Sequence, residues 1–129
     1  MAGEVFYDND GKAISLSLSH TIVSKHLAVV SGILGIAQTA GDSGDTVALR
    51  VDDAIHQFWV PDALDPSVGD IIYVDIADIT GHSVDDTAFS TTAGSGKVAL
   101  CLVTQNRFGS AGDYHVKGKS FLHVQTVGA

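Results

Sequence analysis

Ile14-Ser15-Leu16-Ser17-Leu18-Ser19 alternates strictly between apolar and hydroxyl side chains. A period of two over six residues predicts a strand with one buried face. Ahead of it, Glu4-Val5-Phe6-Tyr7 is separated by Asp8-Asn9-Asp10-Gly11. An Asp-Gly turn between two β-prone runs predicts either a hairpin or an extended arm with a kink. Leu27–Val30 and Ile33–Ala37 surround Ser31-Gly32, the pattern of a tight hairpin. Thr46–Val51, Ile55–Val60 and Ile71–Asp75 follow as strands, with a loop over residues 40–45. A connection bracketed by Pro61 and Pro66 has room for one short helical turn. From Ile76 to Gly96 the pattern weakens into a Ser/Thr/Asp/Gly-rich excursion with one short strand. Lys97–Gln105 is the next strand, and residues 107–113 a Gly-rich turn. The closing segment 114–127 sets Val116, Gly118, Ser120, Leu122 and Val124 against Lys117, Lys119, Phe121, His123 and Gln125. About eight short strands at roughly ten-residue spacing predict an all-β fold, a small antiparallel barrel or sandwich with long loops. Residues 1–13 read as an N-terminal arm or hairpin and 14–129 as a single β domain. Residues 31–39 and 95–105 share a Ser-Gly turn, an apolar strand and a Gln/Thr exit. That likeness reads as a faint repeat or as two strands of one sheet built alike.

Composition sharpens this picture. Fourteen of the fifteen acids are aspartate, and only Glu4 is glutamate. Asp favours turns and caps over helix interiors, which agrees with strands joined by Asp/Gly turns. Hydrophobic residues make up 45% of the 129-residue chain and charged residues 17%. The latter is low against the roughly 25% usual for soluble domains and predicts surface covered in an assembly. Seven Lys+Arg against fifteen Asp+Glu leave a net charge of −8. Nucleic-acid binding needs cations that displace phosphate counterions, so no nucleic-acid partner is expected. Anionic membrane surfaces are disfavoured on the same ground. The first residues lack a basic and apolar leader, and no stretch approaches 18 apolar residues, so neither a secretory signal nor a membrane span is expected.

The candidate chemistry thins out under inspection. Cys101, the single cysteine, sits in the apolar run 98–103 and reads as an inert core thiol. Gly94-Ser95-Gly96-Lys97 and Gly118-Lys119-Ser120 both lack positions a phosphate-binding loop requires. Asp8-Asn9-Asp10-Gly11 lacks the glutamate of a calcium loop, with Ser17 in its place. Asp53 with His56, and His82 with Asp85 and Asp86, are the pairs that could form half of a hydrolytic triad or meet a metal, yet such pairs arise by chance among fourteen aspartates. No catalytic, cofactor or metal residue is assigned. Phe58 and Trp59 carry two readings, core packing and an aromatic anchor at an interface.

The succession Val29-Val30-Ser31-Gly32-Ile33-Leu34-Gly35-Ile36-Ala37, Thr46–Val51, an aromatic strand ending at Pro61, Val68-Gly69-Asp70-Ile71-Ile72-Tyr73-Val74-Asp75 and Gly96–Val103 resembles the short capsid cement, or decoration, proteins of tailed bacteriophages. The resemblance spans about residues 22–125. The chain departs from the pattern where Lys97-Val98 separates Gly96 from Ala99, in the longer, more basic ending and in the N-terminal arm. The resemblance implies a non-enzymatic structural protein without cofactors that binds major capsid protein on the outside of a head, at junctions between subunits, and stabilises the shell. By analogy it implies a homotrimer on the virion exterior, made in the cytoplasm of a bacterial host. Val5, Phe6, Tyr7, Phe58 and Trp59 are the candidate interface residues. Another head–tail structural protein, a small β-barrel ligand-binding module and a small Asp/His hydrolase remain as alternatives.

Overall fold

A computed structural model describes residues 3–5, 12–79 and 88–122. The Asp8–Gly11 turn and the end of the closing segment beyond Leu122 lie outside these residues. Nine strands occur among the described residues: β1 (Ala13–Ser17), β2 (Leu27–Val30), β3 (Ile33–Ala37), β4 (Thr46–Arg50), β5 (Ile55–Trp59), β6 (Ile71–Asp75), β7 (Phe89–Ser90), β8 (Lys97–Phe108) and β9 (His115–Ser120). They form two antiparallel sheets, β1-β4-β3-β2 and β5-β9-β8-β6-β7. The arrangement is sandwich-like, and neither sheet closes into a barrel. No helix among the described residues is long and apolar enough to cross a membrane.

Local sequence explains most elements. Ser31 and Gly32 both take positive φ, 51° and 76°, as the two central residues of a type I′ turn must. That twist pairs Val30 with Ile33 and fixes the register back to Leu27 and Ile36. Alternation in β9 sets the inner face as expected: Val116, Gly118 and Ser120 are buried, and Leu122 beyond the strand end is too. The 61–66 connection holds a turn, closed by Leu64 N–H donating to Pro61 O at 3.0 Å, rather than helix. The short helical turn instead occupies Ile76–Asp78 in 3₁₀ form, capped by the Asp75 carboxylate on Ala77 N–H. Gly32 and Gly96 share φ near 75° before their strands, but β3 and β8 lie in different sheets, so the likeness of 31–39 to 95–105 is a shared turn rather than a shared sheet.

β8 runs past Gln105 to Phe108, where the sequence suggests a turn. Register shifts at Val103/Gln105 and Gln105/Phe108 absorb the extra residues. Bulges of this kind bend and twist a strand. The second sheet curls so far that Trp59 on one edge strand meets Phe89 on the other, ring centroids 5.7 Å apart and edge to face.

Two apolar clusters result. One lies within residues 14–51, around Ile22, Ala28, Val30 and Leu49. The other fills the curled sheet with Ile72, Val74, Leu100, Val103, Val116 and Leu122, and Leu34 from the first sheet enters it. Leu27, Val29 and Ile36 pack against it from the same face. The backbones of β9 and β8 approach closely where Gly118 lies over Cys101. A Cβ at Gly118 would stand 2.6 Å from Cys101 Sγ and 2.8 Å from its Cβ. Gly118→Ala is expected to destabilise the fold by about 1–3 kcal/mol in urea denaturation. Adding Cys101→Ala in that background should recover part of the loss, because it removes the sulfur in the way.

Candidate functional site: the intersheet joint and the cleft beside it

The chain passes from one sheet to the other through residues 51–54. Asp52, in this link, is buried with its side chain 4% exposed. Arg50 Nε, at the end of β4, donates to Asp52 Oδ2. His56 Nε2 on β5 bonds Oδ1 at 2.8 Å, and Ala54 N–H donates to the same oxygen at 3.2 Å. Ser120 Oγ, 68 residues away on β9, donates to Asp52 O at 2.7 Å. Four segments are tied to one residue.

Burial pushes the Asp52 carboxyl up, but hydrogen bonds from His56, Arg50 and Ala54 and the charge of His56 outweigh it and hold the group at about 2. The carboxylate is therefore ionised at neutral pH.

The sequence pairs His56 with Asp53, and the structure corrects this. Asp53 is exposed and faces Lys119, its Oδ2 3.7 Å from Nζ. In a strand-like link consecutive side chains diverge, so Asp52 turns inward while Asp53 turns out. Nor is the Asp52 group a nucleophile triad. Its serine and histidine both bond the carboxylate rather than each other, and a serine without a base is not activated. His82, Asp85 and Asp86 lie outside the described residues. Among the described residues no three His, Cys, Asp or Glu side chains are grouped to hold a metal ion. Cys101 is fully buried, and burial pushes its thiol up to about 12, so it stays protonated. His20 is the described side chain with a buried nitrogen, Nε2, lacking a hydrogen-bond partner.

Beside the joint lies a cleft of about 660 Å³. It opens where edge strand β2 of the first sheet meets edge strands β5 and β7 of the second. Leu27, Ile36, Phe58, Trp59 and Phe89 form its apolar floor. Lys25, His26, His56, Gln57, Asp113 and His115 form the rim. Phe58 is buried and stands edge to face with His56 at 5.8 Å. Trp59 is half-buried, packs on the larger core and borders the cleft. Its Nε1 donates to Gly112 O at 3.3 Å, and Gly112 N–H donates to Asp62 Oδ1 at 2.7 Å. Phe58 therefore belongs to the core, and Trp59 to the edge of the core and the wall of the cleft. Val5 is 93% exposed, while Phe6 and Tyr7 lie outside the described residues.

The sequence reading names none of Arg50, Asp52 and Ser120 as a site residue, nor Lys25, His26, Leu27 or Ile36. The i,i+4 spacing of Asp52 and His56 is a weak cue in strand-like sequence, and nothing local points to Ser120.

The family model described as phage cement protein matches residues 9–106. Among curated proteins none matches the chain.

The joint sets an acid dependence. Unfolded, the Asp52 carboxyl takes its ordinary value of 3.8, and folding depresses it. Its contribution, about 2 kcal/mol, is complete above that value and is lost as the pH falls through about 2. Asp52→Asn should lower stability at pH 7 and flatten the stability curve between pH 4 and 2, measured by denaturant titration at each pH.

Proposed function

The chain belongs to the phage cement protein family, and on that premise we propose that it binds the outer surface of a phage head at junctions between major capsid proteins and stabilises the shell. Its role is structural and its partner is capsid protein. The family membership carries this reading. The interior of the domain supports it, because the ionised Asp52 serves as a joint and the sole cysteine is an inert core thiol. We read the protein as acting by binding alone.

The surface is suited to this. Among the described strands β1, β2, β5 and β7 are sheet edges, and an open edge is a template for strand addition. Val23, Ile55 and Val68 are exposed apolar side chains, 38%, 60% and 59% accessible. A net charge of −8 keeps such a surface soluble and repels nucleic acid. Residues 1–13 form an arm that reaches a neighbouring molecule, its root running into β1 at Ala13. The assembly is a homotrimer at threefold positions of the virion exterior, made in the bacterial host. Modest contacts then sum through the valency of the lattice.

Heads stripped of the protein should regain heat resistance when it is added back, and the protein should co-sediment with them. Failure to sediment with heads at micromolar concentration would remove the capsid reading. Removing residues 1–11 should weaken attachment about tenfold or more while leaving the thermal transition of the domain nearly unchanged. An equal loss of both would place the segment in the core. Trp59→Ala should lower attachment and cost about 3 kcal/mol of stability, whereas Cys101→Ser should leave attachment intact in the folded protein.

A further inference from the structure

The cleft and the N-terminal segment complement each other in shape and charge. Residues 1–11 carry Glu4, Asp8 and Asp10 and no Lys or Arg. They also hold the apolar run Val5-Phe6-Tyr7. The cleft has an apolar floor and, in a chain of net charge −8, a rim that carries Lys25, whereas His56 and His115 stand beside the carboxylates of Asp52 and Asp113. His26 Nδ1 lies 3.1 Å from Ser24 O and His115 Nδ1 3.2 Å from Asp113 O. With Nδ1 as donor, a neutral ring offers Nε2 to accept an N–H or O–H.

We propose that the cleft takes the segment Gly3-Glu4-Val5-Phe6-Tyr7-Asp8 of a second copy of this chain, so that each copy gives its arm to one neighbour and receives the arm of another. In an extended segment Val5 and Tyr7 project to one side and Glu4, Phe6 and Asp8 to the other. Val5 and Tyr7 enter the floor beside Phe58 and Trp59, and Glu4 or Asp8 meets Lys25 at the rim. The open edge of β5 supplies backbone groups to the incoming strand.

A second copy, not the same one, is favoured by Val5, which is 93% exposed in its own chain and so lies outside its own cleft. Ala13 pairs with Arg50, Arg50 with Ile36, and Ile36 with Leu27. The root and the cleft therefore lie at opposite ends of one row across the first sheet, about 14 Å apart at ordinary strand spacing. Arg50 stands in that row, bonded to Asp52 and through it to β5. Residues 1–11, extended, reach about 36 Å, more than the domain's radius of gyration of about 14 Å. A giving and a receiving surface on every copy make a heterologous contact, which closes into a ring when the rotation permits. This proposal rests on the reading that copies self-associate, and it is tested without capsid, so its failure is separate from failure of capsid binding.

Three proteins are compared by sedimentation equilibrium: the full chain, a chain lacking residues 1–11, and a full-length Lys25→Glu/Gln57→Glu variant. Both substituted residues are exposed, and a thermal melt checks each fold. Val5→Ala/Tyr7→Ala serves in place of the truncation should the shortened chain fail to fold. The full chain should assemble, and each altered chain alone should associate at least about tenfold more weakly. Mixed, the armless chain and the blocked-cleft chain should form a one-to-one complex that grows no further, since one complete joint is left per pair. Introducing Glu4→Lys beside Lys25→Glu should restore part of the assembly. A full chain that is monomeric with its arm in its own cleft would overturn the proposal. So would an armless chain that assembles like the full one, or a mixture that stays monomeric.

Discussion

A carboxylate buried where two sheets meet has to be held by hydrogen bonds, because an ionised group away from water is otherwise costly. Asp52 meets that requirement by drawing in Arg50 from the first sheet, His56 from the second and the backbone of the link between them. Ser120 then fastens β9 to the same residue. The chain passes from the first sheet to the second between β4 and β5, and this cluster ties the two sheets at that passage, beside the apolar packing of Leu34, Leu27, Val29 and Ile36. Removing one partner would leave buried polar groups unsatisfied, which is why such joints tolerate little change.

The cleft is a consequence of that placement. The second sheet curls on bulges in β8 until its edges approach through Trp59 and Phe89, and the first sheet lays Leu27 and Ile36 against the remaining opening. Close packing of β9 on β8 depends on Gly118 over Cys101. A wider strand spacing there would shift β5, which among the described strands pairs with β9 alone. Apolar floor, histidine-rich rim and open edge strand are thus products of the same packing that builds the core.

The buried Asp52 carboxylate is taken up by its partners in the joint, and burial holds the Cys101 thiol protonated. What remains at the surface are open strand edges, exposed apolar side chains and an acidic field. In a lattice, valency multiplies a moderate contact.

The strands were largely legible in the chain itself. The alternation in 14–19 and 116–122, the Ser31-Gly32 turn and the aspartate-rich connections are local properties, and backbone sterics and side-chain period act on them wherever the chain lies. The family likeness too was carried by short runs along the chain. Tertiary structure decided the rest. Whether Asp52 or Asp53 faces His56 depends on which way the link turns when two sheets close. The role of Ser120 depends on a contact across 68 residues. Arg107 and Phe108 read as turn because their Gly neighbours follow, yet pairing with β9 extends β8 through them. Lys25, His26, Leu27 and Ile36 gained their shared surface with Phe58 and Trp59 only because edge strands of different sheets were brought together, and no local period encodes the meeting of two edges.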